Sequence, residues 1–324
     1  MRNFIIRRIL TLIPLYLGIT VITFLIIHLA PGKPTELETQ MKPGMAMARQ
    51  RMEKIYGLDK PLYEQYWLWF KKMIVFDFGN SFKDHQPVLE KIRDTLPNTI
   101  LLNLASLFLI YLIAVPIGIL SAVKQYSLFD KISTVFVFIG MAVPGFWLAL
   151  LLILMFSVKL SWLPISGMHS LFYQFQNLSF LGKLLDIFKH AILPVTVLSL
   201  SGLAWLSRYT RSGMLEIIRQ DYITTARAKG LSERQVIFKH ALRNALLPIV
   251  TILGLSLPGL ISGSVIIETI FAWPGMGRLA YQAVLARDYP VIMGASVFSV
   301  FLLLFGNLIA DILYAIVDPR IKYE

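Results

Sequence analysis

Cysteine is absent from this chain of 324 residues. Its absence excludes disulfides, thiolate metal sites and a cysteine nucleophile together, and leaves the compartment open. Charge is scarce as well: Asp, Glu, Lys and Arg make up 15% of the residues, against 56% that are apolar. Acid is the scarcer sign, 19 residues against 31 bases, for a net charge of +12. So few charges cannot coat a soluble globule, and a mean hydropathy of +0.66 calls for lipid as the solvent. The five histidines, His28, His85, His169, His190 and His240, are scattered without ligand spacing. No H-E-x-x-H and no G-x-S-x-G is present, so an intramembrane hydrolase lacks its motif. Nor is there a G-x-x-x-x-G-K-[ST], which leaves the chain without a phosphate-binding loop of its own.

What is there, in quantity, is long apolar runs. A spanning helix needs about 20 apolar residues, and six windows meet that length or approach it: Ile9 to Ala30, Asn98 to Val123, Ile132 to Val158, Ala191 to Ser207, Ala245 to Ile267 and Val291 to Val317. The first follows Arg7 and Arg8 as a signal peptide would. It is too long for one, and a cut after Ala30 would meet His28 and Pro31 where small residues are needed. The fold class is therefore an all-α integral membrane protein of six transmembrane helices, with a small extracytoplasmic insert between helices 1 and 2.

Lys and Arg in short connections resist translocation and set the orientation. Arg2, Arg7 and Arg8, then Lys124 and Lys131, then eight basic residues from Arg208 to Arg243, then Arg320 and Lys322, all fall on one side. That side reads as the cytoplasm, with both termini on it. The charge of +12 is then mostly topology and needs no nucleic acid.

The chain divides into a first helix over 1–30, an extracytoplasmic insert over 31–94, a five-helix core over 95–317 and a tail over 318–324. Tyr63, Tyr66, Trp67 and Phe70 recur at helical spacing, so the insert reads as a small helical cap on the outer face. Pro and Gly punctuate the spans at Pro14, Pro116, Pro144, Pro194 and Pro258. Lipid tolerates such breaks mainly where helices face one another or a watery path, which favours a bundle with a pathway. Small residues from Gly254 to Ser264 permit close helix approach. Asn307 and Asp311 share one face of the sixth helix, and Asp311 is read as pairing with a neighbouring helix in preference to moving protons. Glu268 and Asp288 flank the outside, free to meet a cationic ligand or to be solvated.

The passage DYITTARAKGLSERQVIFKHALRNALLP, from Asp221 to Pro248, is too basic for hydrocarbon. One helix is expected from about Met214 to Lys229, with Gly230 as its left-handed cap. Ser232 and Gln235 have capping-box spacing and open a second helix, and Pro248 marks the turn into the fifth span. Helix, sharp corner, helix is a shape suited to a groove on another protein. A basic loop on anionic headgroups is the alternative.

These residues, with RRIL, LAPG, GLDKPLYEQY, DFGNSF, PNT at Pro97 to Thr99, VPGFWLAL, LPISG, SRYTRSGMLE, ETIFAWPGMGRL, RDYP and DPR, cover nearly the whole chain in order. The chain resembles the oligopeptide and dipeptide permeases of ATP-binding-cassette importers. The resemblance implies a type I importer permease fold, whose cytoplasmic coupling loop covers about 208–244. It also implies a second similar permease, two cytoplasmic ATPases that hold ATP and Mg, and an external substrate-binding protein. In the coupling motif Thr224 stands at the acidic position, Thr225 and Ala226 at the two alanines and Gly230 at the glycine. The ATPase-coupling residues are then Asp221, Thr224, Thr225, Ala226, Arg227, Ala228, Lys229, Gly230 and Leu231, with Ala226 near the contact face. No catalytic, metal or substrate-binding residue is assigned. Di- and oligopeptides are the implied cargo; nickel complexes, glutathione, other small solutes and a proton-coupled carrier remain as alternatives.

Overall fold

The computed structural model describes residues 2–29 and 60–317, and these residues are helical throughout apart from turns and one isolated bridge between Asn80 and Pro87. Ala30 to Gly32 of LAPG, DPR, the expected tail and most of the first half of the expected insert lie outside the described residues. The chain forms two compact units, one from Met1–Pro97 with Leu279–Glu324, the other from Asn98–Arg278.

In the first unit, α1 (Arg2–Leu29) runs against α11 (Tyr289–Val317). Their direction is antiparallel. Arg8 Nη1 meets Asp311 Oδ2 at 3.0 Å near one end, while Phe24 and Ile27 pack with Ile292 and Met293 near the other. The pairing read for Asp311 is thus present, and its partner is an arginine. Asn307, one turn away, is exposed. Helix α2 (Leu62–Ile74) lies alongside these two, with Tyr66 and Trp69 in the Phe24 cluster and Tyr66 Oη 3.0 Å from Thr20 Oγ1. Beyond it, Phe76 rests edge-on against Phe298 and Phe301, with centroids 6.0 and 5.5 Å apart. The aromatic spacing of the insert is therefore helical as expected, but its helix packs beside the spans, where a cap on the outer face was expected. Asp288 closes the unit: it is 2% exposed and accepts from Ser81 Oγ at 2.5 Å and Phe82 N–H at 3.0 Å.

The second unit holds most of α3 (Val88–Val123), then α4 (Leu128–Ala142), α5 (Gly145–Leu152), α6 (Phe180–Ile218), α7 (Asp221–Ala228), α8 (Glu233–Ile261) and α9 (Val265–Ile270); α10 (Met276–Leu285) starts here and crosses into the first unit. Among the described residues, five helices are long and apolar enough to cross a membrane. The third expected span is a bent pair, α4 with Gly145–Lys159, turned by 102°. Its cause is local: a residue before proline avoids the helical region, and Val143 is extended at φ −78°, ψ 121° before Pro144. Pro14, Pro116 and Pro194, expected to interrupt their helices, stand inside continuous ones. Close approach comes from glycine. A Cβ on Gly118 would stand 2.6 Å from Ser207 O and from Thr210 Cβ, and one on Gly202 2.6 Å from Ile110 Cδ1, so α3 and α6 touch backbone to side chain.

Candidate functional site

The basic passage folds into a compact corner at the end of α6. The expected single helix from Met214 to Lys229 is two: α6 stops at Ile218, Arg219 caps it, and α7 restarts at Asp221. The restart turns Ile223 and Ala226 inward, 0% and 8% exposed, onto Ala122, Met214, Val236, Ala241 and Ala245. One face of an eight-residue helix is thereby fixed on the end of the bundle by apolar burial. Asp221, Thr224, Thr225, Ala228 and Lys229 are left exposed on the other faces.

Ala226 is the correction here. It was expected near the contact face, and its burial makes it an anchor for α7. The 100° step of the helix explains it: Ile223 and Ala226 are three apart and share a face, while Ala228 falls on the opposite side.

Gly230 takes φ +78°, the left-handed value that only glycine adopts without strain. A Cβ there would meet nothing within 4 Å, so the need is for the conformation and not for space. Gly230 N–H donates to Arg227 O at 2.9 Å and Leu231 N–H to Ala226 O at 3.4 Å, which closes the end of α7. Across the corner Arg227 Nε donates to Glu233 Oε1 at 2.7 Å, with Nη2 3.4 Å from Oε2. The pair is exposed, so it tunes the corner more than it stabilises it. Ser232 and Gln235 form the expected capping box, each side chain bonded to the other's backbone N–H. The helix it opens runs through a π-helical segment, Val236–Ala241, and Pro248 stands inside its continuation, not at a turn. Asn244 Nδ2 donates to Tyr222 Oη at 2.8 Å and ties α8 back to α7.

A second structure steadies this end. Asp130, 3% exposed, accepts Arg211 Nε at 2.6 Å and Nη2 at 2.8 Å, together with Tyr126 N–H at 2.9 Å. The bidentate pair clamps the turn between α3 and α4 onto α6, ten residues before α7 begins. It was not among the expected contacts. The available signal was an Asp three residues after the cap Ser127 in a run otherwise without acid.

Glu268, expected as solvated or ligand-facing, is 1% exposed and sits in a knot made by ETIFAWPGMGRL. Its carboxylate accepts Thr99 Oγ1 at 3.0 Å and Arg278 N–H at 3.0 Å. Burial pushes the carboxyl above the usual range, and those donors offset part of the rise. A Cβ on Gly275 would stand 2.5 Å from this carboxylate. Trp273, fully buried, donates Nε1–H to Asn98 O at 3.0 Å, and Asn98 Nδ2 donates to Pro274 O at 2.9 Å. Asn103 likewise donates to Leu260 O and Ser262 O, at 2.9 Å each. Neither acid of the outer flank is therefore solvated or turned to a cation: one holds this knot together, and Asp288 holds the turn at Ser81.

Two family descriptions match the chain: "Binding-protein-dependent transport system inner membrane component" over residues 114–323, and the N-terminal membrane component of such systems over residues 1–103. The oligopeptide transport system permease protein AppB of Bacillus subtilis is 49% identical over 324 residues, covering 100% of both chains. The di/tripeptide transport system permease protein DppB of Pseudomonas aeruginosa is 40% identical over 339 residues, and the dipeptide transport system permease protein DppB of Escherichia coli K12 37% over 338, each covering 100% of both chains. Among solved structures, an inward-facing form of the MetNI methionine ABC transporter is similar in fold, with a TM-score of 0.54 and 19% identity over 70% of this chain and 96% of that one. With its helical spans and a matching sequence from end to end, the chain belongs to the family of inner membrane components of binding-protein-dependent transport systems.

Proposed function

We propose that this chain is one of two membrane-spanning subunits of an ATP-driven importer for di- and oligopeptides in the plasma membrane of a prokaryote. The observation that carries the proposal is α7: a short helix anchored by Ile223 and Ala226, ended by a left-handed Gly230, with its outer face free for another protein. A second similar permease completes the pathway. Two cytoplasmic ATPases bind ATP and Mg and seat α7 in a groove, and an external binding protein delivers the solute. Both termini are cytoplasmic, by the distribution of Lys and Arg. The peptide cargo rests on the printed names of the relatives.

Mechanically, α7 acts as a rigid stud. When ATP draws the ATPases together, force on Thr224, Thr225 and Ala228 passes through Ile223 and Ala226 into the ends of α3, α6 and α8. The clamp between Asp130 and Arg211 carries it to α4. The pathway then opens outward, and hydrolysis resets it. A proton-coupled carrier would need a free acid within the bilayer, and Asp311 is engaged by Arg8.

The test is reconstitution of the four-subunit assembly with its binding protein in vesicles. Gly230→Pro demands φ near −65° where the chain needs +78°. Ala228→Arg places a long cation on the outer face of α7. Both variants should insert normally and lose ATP-driven peptide uptake. Uptake at the unaltered rate by both would overturn the assignment of α7.

A further inference from the structure

One face of α6 changes character halfway along the helix. Ile187, Ala191, Pro194 and Leu198 follow one another three or four residues apart, and the same seam continues through Ser201, Trp205, Tyr209, Ser212 and Glu216. Over its first half the seam is roofed by the chain itself. Ile187, Ala191 and Leu198 pack on Leu102, Val195 and Trp273, Leu198 also packs on the cluster of Ala149, Ile267 and Phe271, and Pro194 is buried. The break at Pro144 supplies this roof. Below it α4 lies on Leu200 and Ala204, which a Cβ on Gly140 would meet at 3.3 and 3.4 Å, and the bend of 102° carries Gly145 and α5 across to Val197.

Toward α7 the roof stops. Ser201, Trp205, Tyr209, Ser212 and Glu216 are all exposed, Trp205 at 48% and Tyr209 at 39%. Their depth is read from α3: Gly202 meets Ile110 and Ser207 meets Gly118, both inside the apolar run that ends at Val123. Met214 shares a cluster with Ala122, so Glu216 lies at the end of that run, at the mouth. At the same depth the exposed stripe of α3, made of Leu101, Leu104, Phe108, Leu112, Pro116 and Leu120, is wholly apolar. The open part of the α6 seam instead joins rings to hydroxyls and ends in an acid. Arg208 stands at its edge, its guanidinium 5.6 Å from the centre of the Phe138 ring. Lipid suits the first kind of face, and a watery path with a polar solute suits the second. The rings of Trp205 and Tyr209 are stacked, with centroids 5.4 Å and planes 17° apart. Together they offer one surface that is apolar in body and polar at the rim.

Resting on the importer reading above, we infer that this open half of the seam is a wall of the solute cavity, where Trp205 and Tyr209 receive an aromatic side chain of the peptide. Ser201 and Ser212 supply hydroxyls for its backbone amides. A cavity roofed at one end and open at the other holds solute on its way out to the α7 side.

Spin labels test the wall, since the chain brings no cysteine of its own. The intact four-subunit assembly, without nucleotide and with any partner cysteines blocked, carries a label at Trp205→Cys, Ser212→Cys or Phe108→Cys in nanodiscs. Labels at 205 and 212 should collide with a water-soluble nickel chelate more than with oxygen, and the label at 108 should show the reverse. Labels at 205 and 212 that behave as the one at 108 would give the face to lipid. Shielding from both reagents would give it to the second permease, and either result overturns the inference. Uptake tests the rings. With the binding protein unchanged, Trp205→Ala should raise KM for a tripeptide with a central phenylalanine about three- to tenfold relative to trialanine, the worth of one aromatic contact. Trp205→Phe should restore most of the loss, and an unchanged ratio would overturn the role of the rings. Absence of peptide uptake by the unaltered assembly would overturn the peptide cargo, and with it the side chain assigned to the rings. The labels still decide the wall in that case, because they need neither ATP nor uptake.

Discussion

At the scale of single residues, buried charge decides more than exposed charge. Asp130 and Arg211 form a bidentate pair in which the acid is 3% exposed, so removing one partner strands the other. Breaking a fully buried pair costs about 3–5 kcal/mol, and Arg211, with 27% of its side chain exposed, sets this one toward the lower end. Asp130→Ala should therefore lower the melting temperature in detergent markedly. Adding Arg211→Ala should give back part of the loss, and strictly additive losses would show that the two do not act as a pair. Glu268 makes a prediction in pH. Its folded value is raised by burial, so the folded state holds a proton that the unfolded chain has released. That contribution to stability is complete below the ordinary glutamate range, near about 4.3, and is lost as pH climbs through the raised value. Thermal melts from acid to neutral pH should show a decline that Glu268→Gln flattens; an equal decline in both proteins would assign it to another group.

At the scale of helices, close approach is set by the few glycines that have neighbours. Gly118 faces Ser207 O and Thr210 across the contact of α3 with α6, whereas a Cβ on Gly18 or Gly213 would meet nothing within 4 Å. Gly118→Ala forces a backbone carbonyl aside, and overpacking of this kind costs about 1–3 kcal/mol. Gly213→Ala should be neutral, or slightly stabilising through helix propensity. A melting comparison of the two variants checks the difference, and equal behaviour would mean that the contact yields easily. Helix boundaries follow the same logic of neighbours. Pro194 is legible as a possible break, yet α6 runs 39 residues through it, because packing on α4, α5 and α8 holds both halves in line. Pro144 does break its span, because extended Val143 lets α5 turn through 102°.

For the whole molecule, the sequence carries no G-x-x-x-x-G-K-[ST], and the chain belongs to a family of transport-system membrane components. Purified alone it should hydrolyse no ATP in a phosphate-release assay, and sustained turnover would contradict the absence of a phosphate loop. Apolar runs, basic connections and the corner signals at Gly230, Ser232 and Gln235 were legible in one dimension, because each arises within about 20 residues of chain. The span count, the left-handed glycine and the capping box all belong to that class. Which side of α7 faces a partner was not legible, since Ala226 turns inward only because Ile223, Val236 and Ala241 converge on it. Nor were the partners of the acids: Asp130 finds Arg211 81 residues away, Glu268 finds Thr99 169 away and Asp288 finds Ser81 207 away. Local hydropathy and backbone preference act between near neighbours and can be read along the chain. Burial and pairing join residues that only packing brings together, so the anchor of α7, the clamp at Asp130 and the seat of α2 beside α1 were decided by the tertiary structure.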